Sequence, residues 1–283
     1  MRAAIFVPAP DYPEDWDWAY EVEAGVLLRA GFSVEARDWT DPGDLDGFDL
    51  VMPLVAWGYH QDPPRWHALL DRLEREAVPT LNPVPLLRWN SDKRYLAELD
   101  RKNVATIPTR LVESLDDPAL DAARSEFGDR LVIKPPVSAS AYGTHLLGPT
   151  DPVPSDALGL PMLVQPFLRS VASEGEYSIM LFGGSFSHSI VKRPKAGDYR
   201  VQPHLGGTEL PCEPPAGAID LALNALAAAP AKAAYARVDM VRDNEGNLAI
   251  IELELIEPAL WLQHAPDGGE SFAAALRSAL AHK

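Results

Sequence analysis

The sequence predicts an α/β plus α+β chain. A small parallel α/β domain spans residues 1–85, and a larger, mostly antiparallel α+β body spans residues 86–283. Three observations predict this. Up to about residue 85, short apolar runs alternate with amphipathic stretches, the pattern of a parallel sheet with crossover helices. Beyond it, apolar runs follow one another through tight turn signals with few helices between them. The length of 283 residues also matches about two domains at ~150 residues each.

The first element is RAAIFVP (2–8), an apolar strand that stops at Pro8. Residues 17–30 form an amphipathic helix that ends at Gly31. FSVEAR (32–37) alternates as a strand does, and DLVMPLV (49–55) is a further apolar run weakened by Pro53. Residues 64–77 read as a helix and 78–81 as a brief strand. Asn90-Ser91-Asp92 then offers N-caps for a helix over KRYLAELDRKN, with Lys93 in its first turn. Strands follow at 131–137, 162–168, 176–184, 185–193, 235–241 and 248–256. The last two flank Asp243-Asn244-Glu245-Gly246-Asn247, a strong turn signal. Residues 217–230 and 270–281 are Ala/Leu-rich helices.

Composition narrows the function. Hydrophobic residues at 47% and charged residues at 23% describe a folded chain. Lys and Arg number 25 against 41 Asp and Glu, a net charge of −16, so neither nucleic acid nor an anionic membrane is an expected partner. A single cysteine excludes a disulfide framework and a Cys-rich zinc site. No apolar run approaches the ~18 residues of a membrane span, and the N-terminus turns acidic at once. The expected location is cytoplasmic. The 27 prolines are about twice the usual ~5% and punctuate short elements; such surfaces beside a small first domain would suit a homodimer.

The P-loop, Rossmann, zincin and nucleophile-elbow motifs are all missing. The most informative stretch is RVDMV-RDNEG-NLAIIELELIEP. Residues two apart share a strand face, so Glu252 and Glu254 project together. The turn places residue 239 opposite 250 or 252, and either register puts Asp239 on that face. Three converging carboxylates repel unless something positive lies between them. They suit Mg²⁺, or else belong to a solvated sheet edge. Lys134 ends an apolar strand, where an unpaired ammonium is costly. Lys192 and Arg193 end another strand, and Arg200 follows a Pro/Gly loop. A cation at Lys93 opposes the helix dipole unless an anion lies nearby. Singly these suit surface salt bridges; together, in so acidic a chain, they suggest a polyphosphate cradle. VSASAYGTH (137–145), with Ser138, Ser140 and Gly143, is a small, hydroxyl-rich loop suited to wrapping phosphates.

Trp57-Gly58-Tyr59-His60 follows the strand at 49–55, and Asp11, Trp16 and Asp17 follow the first strand. Strand C-termini in α/β domains border ligands, although aromatics here also suit packing between domains. His145, His188 and His204 lack metal-binding spacing; His204 in PHLGG is the one expected nearest an active site. Cys212 has no base beside it in the sequence and reads as structural.

Taken in order, these pieces resemble the ATP-grasp superfamily, near its glutathione-synthetase/ribosomal-modification-ligase branch. The resemblance is carried by NSDKRYLAEL, LVIKPPVSASAYGT, QPFL, EGEYSIM, KRPKAGDYRVQPHLGG, RVDMV and IELELIEPALW, over roughly residues 86–262. ELELIEPALW is similar to the cyclo-ligase subgroup of D-cycloserine biosynthesis. The resemblance implies two subdomains gripping ATP, at about 100–168 and 169–283. It implies Lys93 and Lys134 on the α/β-phosphates, with Ser138, Ser140 and Gly143 in the phosphate loop. Gln165, Phe167 and Leu168 would lie at adenine, chiefly through backbone groups, and Glu176 at the ribose. Asp239, Glu252 and Glu254 would hold Mg²⁺. Arg193 and Arg200, with Lys192 close by, would face the γ-phosphate and the reacting carboxylate. Two departures stand out. Ala139, Ala141 and Tyr142 replace a glycine-rich run, and Glu254 stands where many relatives carry Asn, adding a negative charge. The implied activity is an ATP- and Mg²⁺-dependent carboxylate–amine ligase. It would act through an acyl phosphate on a small amino-acid-like substrate, inter- or intramolecularly. A non-catalytic nucleotide-binding protein of the same fold and a metal-dependent hydrolase are the competing readings.

Overall fold

The computed structural model describes residues 1–195, 197, 200, 201 and 206–281. His204 therefore lies outside the described residues. The first layer is a three-stranded parallel sheet ordered β2-β1-β3, from β1 (Arg2–Val7), β2 (Ser33–Asp38) and β3 (Leu50–Met52), with α1 (Asp17–Arg29) crossing from β1 to β2. β3 stops at Met52 because Pro53 has no N–H to continue the ladder. Residues 78–81 contribute a single bridge, Val51 to Thr80, in place of a strand. α2 (Pro63–Arg75) starts where Asp62 accepts a hydrogen bond from the Arg65 N–H, with prolines in its first turn.

The next segment corrects the sequence reading. A short helix, α3 (Val84–Asn90), burying Leu86 and Leu87, precedes α4 (Tyr95–Arg101). Asn90 closes α3 and caps nothing after it. Its side chain donates to Leu253 O at 2.9 Å and accepts from Leu255 N at 2.9 Å. Lys93 lies in the turn between α3 and α4, not in the first turn of a helix.

Two antiparallel sheets follow. The smaller is ordered β4-β7-β5-β6, from β4 (Arg110–Val112), β5 (Leu131–Lys134), β6 (His145–Leu147) and β7 (Met162–Pro166). It packs against α5 (Asp117–Phe127) around its own core of Leu115, Leu120, Ile133 and Val164. The larger is ordered β10-β9-β8-β11-β12. Its elements, in chain order, are the single-turn α6 (Ser170–Ser173), β8 (Glu176–Phe182), β9 (Ser185–Arg193), β10 (Thr208–Pro211), α7 (Ala218–Ala228), β11 (Tyr235–Arg242), β12 (Leu248–Glu254) and α8 (Glu270–Ala281). The short elements β4, β6, α6 and β10, and the helix α5, were not anticipated.

The parallel sheet and the large antiparallel sheet share a core. Ile5, Leu27 and Met52 from one pack in the same cluster as Phe182, Tyr235 and Phe272 from the other. The buried side chain of Asn82 joins them. It donates to Tyr235 O (3.0 Å) and Leu255 O (2.8 Å) and accepts from Ala234 N (2.7 Å). Satisfying every polar atom of a buried amide this way fixes the docking geometry. Among the described residues no helix is long and apolar enough to cross a membrane.

Candidate active site

The β11–β12 hairpin positions the site. Its turn closes through Asp243 N to Asn247 O at 2.8 Å, with Gly246 at φ +91°. Of the two registers the sequence allowed, the chain takes the one that sets Asp239 opposite Glu252. A bulge follows immediately, so Met240 faces Ile250. Arg237, two residues before Asp239, lies on the same face and opposite Glu254. The period of two therefore brings one arginine and three carboxylates to one surface.

Charge pairing organises that surface. Arg237 holds Asp239 at 3.0 Å and Glu254 at 2.9 Å. Lys192, inward-facing on β9, bonds Glu176 and also reaches Asp239 at 2.9 Å. Lys93 bonds Glu252 at 2.8 Å and the Ser138 carbonyl. Ser178 donates to Asp239 at 2.6 Å. All three cations are buried. Burial opposes the charge on Asp239, but Arg237 and Lys192 outweigh it and hold its pKa below the usual range. Glu252 is held low in the same way by Lys93 and Lys134. Burial, with Glu252 and Asp239 adding, pushes Glu254 up to about 7 despite Arg237. Burial likewise raises Glu176, with Lys192 opposing it.

Lys134 is different. It is 8% exposed and has no hydrogen-bond or ion-pair partner among the described residues. Burial draws its pKa below the usual lysine value, only partly countered by Glu252. A buried, unpaired ammonium facing a cavity calls for an anion from outside.

That cavity, about 660 Å³, lies between the two antiparallel sheets and the end of the parallel one. Of the residues singled out from the sequence, it is lined by Lys93, Lys134, Ser138, Ser140, Gln165, Phe167, Leu168, Glu176, Lys192, Arg200, Asp239, Glu252 and Glu254. Arg193 does not reach it. Alternation along β9 turns Lys192 inward and leaves Arg193 exposed on the other face. Gly143 borders a neighbouring cavity instead, at φ +60°, where a Cβ would meet Pro135 at 2.8 Å. Gln165 donates to Thr109 Oγ1 at 2.9 Å, and the Arg130 guanidinium covers the Phe167 ring at 3.9 Å.

The lining residues missed include Arg237, Glu257 and Trp261. Arg237 was readable from its parity with Asp239. Trp261 sits at φ +44°, beneath the Arg237 guanidinium at 5.2 Å, and donates to Glu209 at 2.8 Å. It closes the ELELIEPALW motif, but no periodicity gave its direction.

The far end of the cavity is aromatic. Tyr12, Trp18, Trp57, Gly58 and His60 line it, together with Glu14, Asp15 and Glu257. Gly58 takes φ +86°, a conformation that favours glycine, and a Cβ there would crowd the Tyr12 ring at 3.1 Å. His60 is buried, its Nδ1 has no partner, and its ring lies 5.3 Å from that of Tyr142. Burial, with Lys93 adding, lowers its pKa to about 4. Tyr59 packs into the core beside Trp66, and Trp16 packs against Tyr20. Asp11 and Asp17 are exposed. Elsewhere, His145 bonds Asp156 at 3.2 Å and His188 bonds Leu260 O at 3.0 Å. Cys212 is half-buried and burial pushes its thiol up.

Among the described residues no group of three or more His, Cys, Asp or Glu converges tightly enough to hold a metal ion as placed. The carboxylates of Asp239, Glu252 and Glu254 are turned onto Arg237, Lys192 and Lys93. Their chemistry fits a hard divalent cation. They are oxygen donors brought to one face by the hairpin register.

Residues 5–82 match the family model of the N-terminal domain of the D-cycloserine synthetase DcsG. The chain is 31% identical to the cycloserine biosynthesis protein DcsG of Streptomyces lavendulae over 98% of both chains. It is 29% identical to a glutathione synthetase of Prochlorococcus marinus, covering 66% of this chain and 62% of that protein. Among solved structures, D-cycloserine synthetase DcsG superposes with a TM-score of 0.85 at 27% identity, covering 99% of this chain and 100% of that one. A D-alanine–D-alanine ligase of Bacillus anthracis superposes at 0.68 and 14% identity, covering 98% and 95%, a likeness of fold alone.

Proposed function

The chain belongs to the D-cycloserine synthetase family of ATP-grasp ligases, which form C–N bonds, and we propose that it is a Mg²⁺-dependent cyclo-ligase for a small amino-acid-like substrate. The observation that carries this reading is Lys134, a buried cation without a partner, in one cavity with Lys93, Lys192 and a face of three carboxylates.

In this reading Lys93 and Lys134 bind the α/β-phosphates, with Ser138 and Ser140 in the enclosing loop. Gln165, Phe167 and Leu168 border adenine, and Glu176 takes the ribose. Asp239, Glu252 and Glu254 hold Mg²⁺, which when bound neutralises charge across the phosphates. Arg200 and Arg237 face the γ-phosphate and the reacting carboxylate, with Lys192 behind them. Arg237 is preferred to Arg193 because it lines the cavity. A substrate carboxylate oxygen attacks the γ-phosphorus and ADP leaves. The substrate's own amine nitrogen then attacks the acyl carbon, the C–O bond breaks, inorganic phosphate departs and the amine loses one proton. The protein's part is to align these groups and stabilise developing charge, which needs no covalent enzyme nucleophile.

The test is the melting temperature with and without Mg·ADP, on wild type and Lys134→Ala. At ~100 times Kd a ligand adds about 2.7 kcal/mol, or roughly 5–10 °C for a chain of this size. The shift should vanish in the variant. ADP release should then follow with the ring-opened amino acid of D-cycloserine, giving a product lighter by one water. No shift with Mg·ADP or Mg·AMP-PNP overturns the ligase reading.

A further inference from the structure

We infer that Glu257 is the seat of the substrate's α-ammonium group, not of the nitrogen that closes the ring, so that the cavity selects a substrate carrying a free α-amine. This rests on the ligase reading above. Glu257 follows β12, lines the cavity and is only 9% exposed. Burial, with Glu254 adding, holds its pKa well above the usual carboxylate range despite Lys93 and a hydrogen bond from its own backbone N–H, and among the described residues no other residue's side chain is bonded to it. The buried cations nearby are already committed: Lys93 to Glu252, Lys192 to Glu176 and Asp239, and Arg237 to Asp239 and Glu254. Of these, Lys93 acts on Glu257 while held in its pair with Glu252. A buried carboxylate without a counter-ion is unfavourable in the empty protein. That cost is removed when a ligand supplies the cation.

The surroundings suit an ammonium and not a second anion. Tyr12 lies within reach of the Glu257 charge and packs its ring on Gly58. Trp57 lines the same end of the cavity, so the site offers a carboxylate with aromatic faces. Glu14 and Asp15 border the cavity too, and no lysine or arginine is paired with either among the described residues. An amino acid held with its ammonium at Glu257 would share the cavity with Lys93 and Lys134, which line it too. Glu257 acts here as a binding and orienting residue.

The experiment measures binding by calorimetry to protein saturated with Mg·AMP-PNP. The probes are D-serine, D-cycloserine, N-acetyl-D-serine and the des-amino analogue 3-hydroxypropionate. Wild type should bind the two amine-bearing probes at least tenfold more tightly than the other two. Glu257→Gln should lose that preference while keeping the full Mg·ADP-dependent melting shift, and Glu257→Met should do the same. Binding of D-serine by Glu257→Gln as by wild type overturns the inference. So does equal binding of the N-acetyl probe by wild type, or absence of amino-acid binding in protein that retains its Mg·ADP shift. Failure of both variants to fold overturns it in favour of a structural carboxyl. Loss of the Mg·ADP shift in wild type is a separate result, which removes the ligase reading and this inference with it.

Discussion

The two ends of the cavity handle buried charge in opposite ways. At the β11–β12 end the charges neutralise one another: Arg237 and Lys192 share Asp239, and Lys93 takes Glu252. At the aromatic end His60 Nδ1 is buried without a partner, and Lys134 is buried without an ion pair among the described residues. Paired groups keep an empty site folded, and a ligand must compete with them. Unpaired groups cost stability until a ligand arrives, and they show what charge that ligand must bring.

The largest test breaks the paired end. Arg237→Ala leaves Glu254 without its ion-pair partner and Asp239 with Lys192 alone. Chemical denaturation should show a loss of about 3–5 kcal/mol, and activity should disappear. The second uses His60. Its pKa falls from 6.5 to about 4 on folding, so between those values the unfolded chain binds the extra proton. Stability from this group is fully present above pH 6.5 and declines as pH falls toward 4, by up to about 3 kcal/mol. Melting curves across that window should show the decline in wild type and a flatter profile in His60→Gln. The third inverts the sign at Lys134. Lys134→Met should raise the stability of the nucleotide-free protein by about 1–2 kcal/mol while abolishing its Mg·ADP shift; a loss of stability would mean that the lysine is paired after all. The smallest concerns Tyr142, whose exposed ring rests against His60. Tyr142→Ala should change stability by less than about 1 kcal/mol, with any functional effect confined to the KM for the amino acid.

The legible parts of this molecule are those governed by strict periodicity. The hairpin turn and the period of two place Asp239, Glu252 and Glu254 on one face from the sequence alone, and the same arithmetic delivers Arg237. It also explains Arg193, because one residue along β9 reverses the direction of the side chain. What stayed hidden depends on long-range packing. Helix α3 is one such case, since Asn90 looks like an N-cap and instead serves the backbone of Leu253 and Leu255. Glu257 and Trp261 lie past the end of β12, where no repeat predicts direction. The short elements β4, β6 and β10 are held by their neighbours in the sheets more than by local preference.

Asn82 bears on how this chain can be divided. Its amide on the N-terminal side is satisfied by backbone from the other side of the molecule, and Phe182, Tyr235 and Phe272 complete the core that Ile5 and Leu27 begin. Fragments cut near residue 85 would each carry an open apolar face and, between them, one orphaned amide. Such fragments suit complementation, each silent until it meets the other. By contrast, the sheet carrying Lys134 closes its own core. It is the part of this fold suited to exchange between relatives, whereas a chimera joined at residue 85 would have to import the large antiparallel sheet with it.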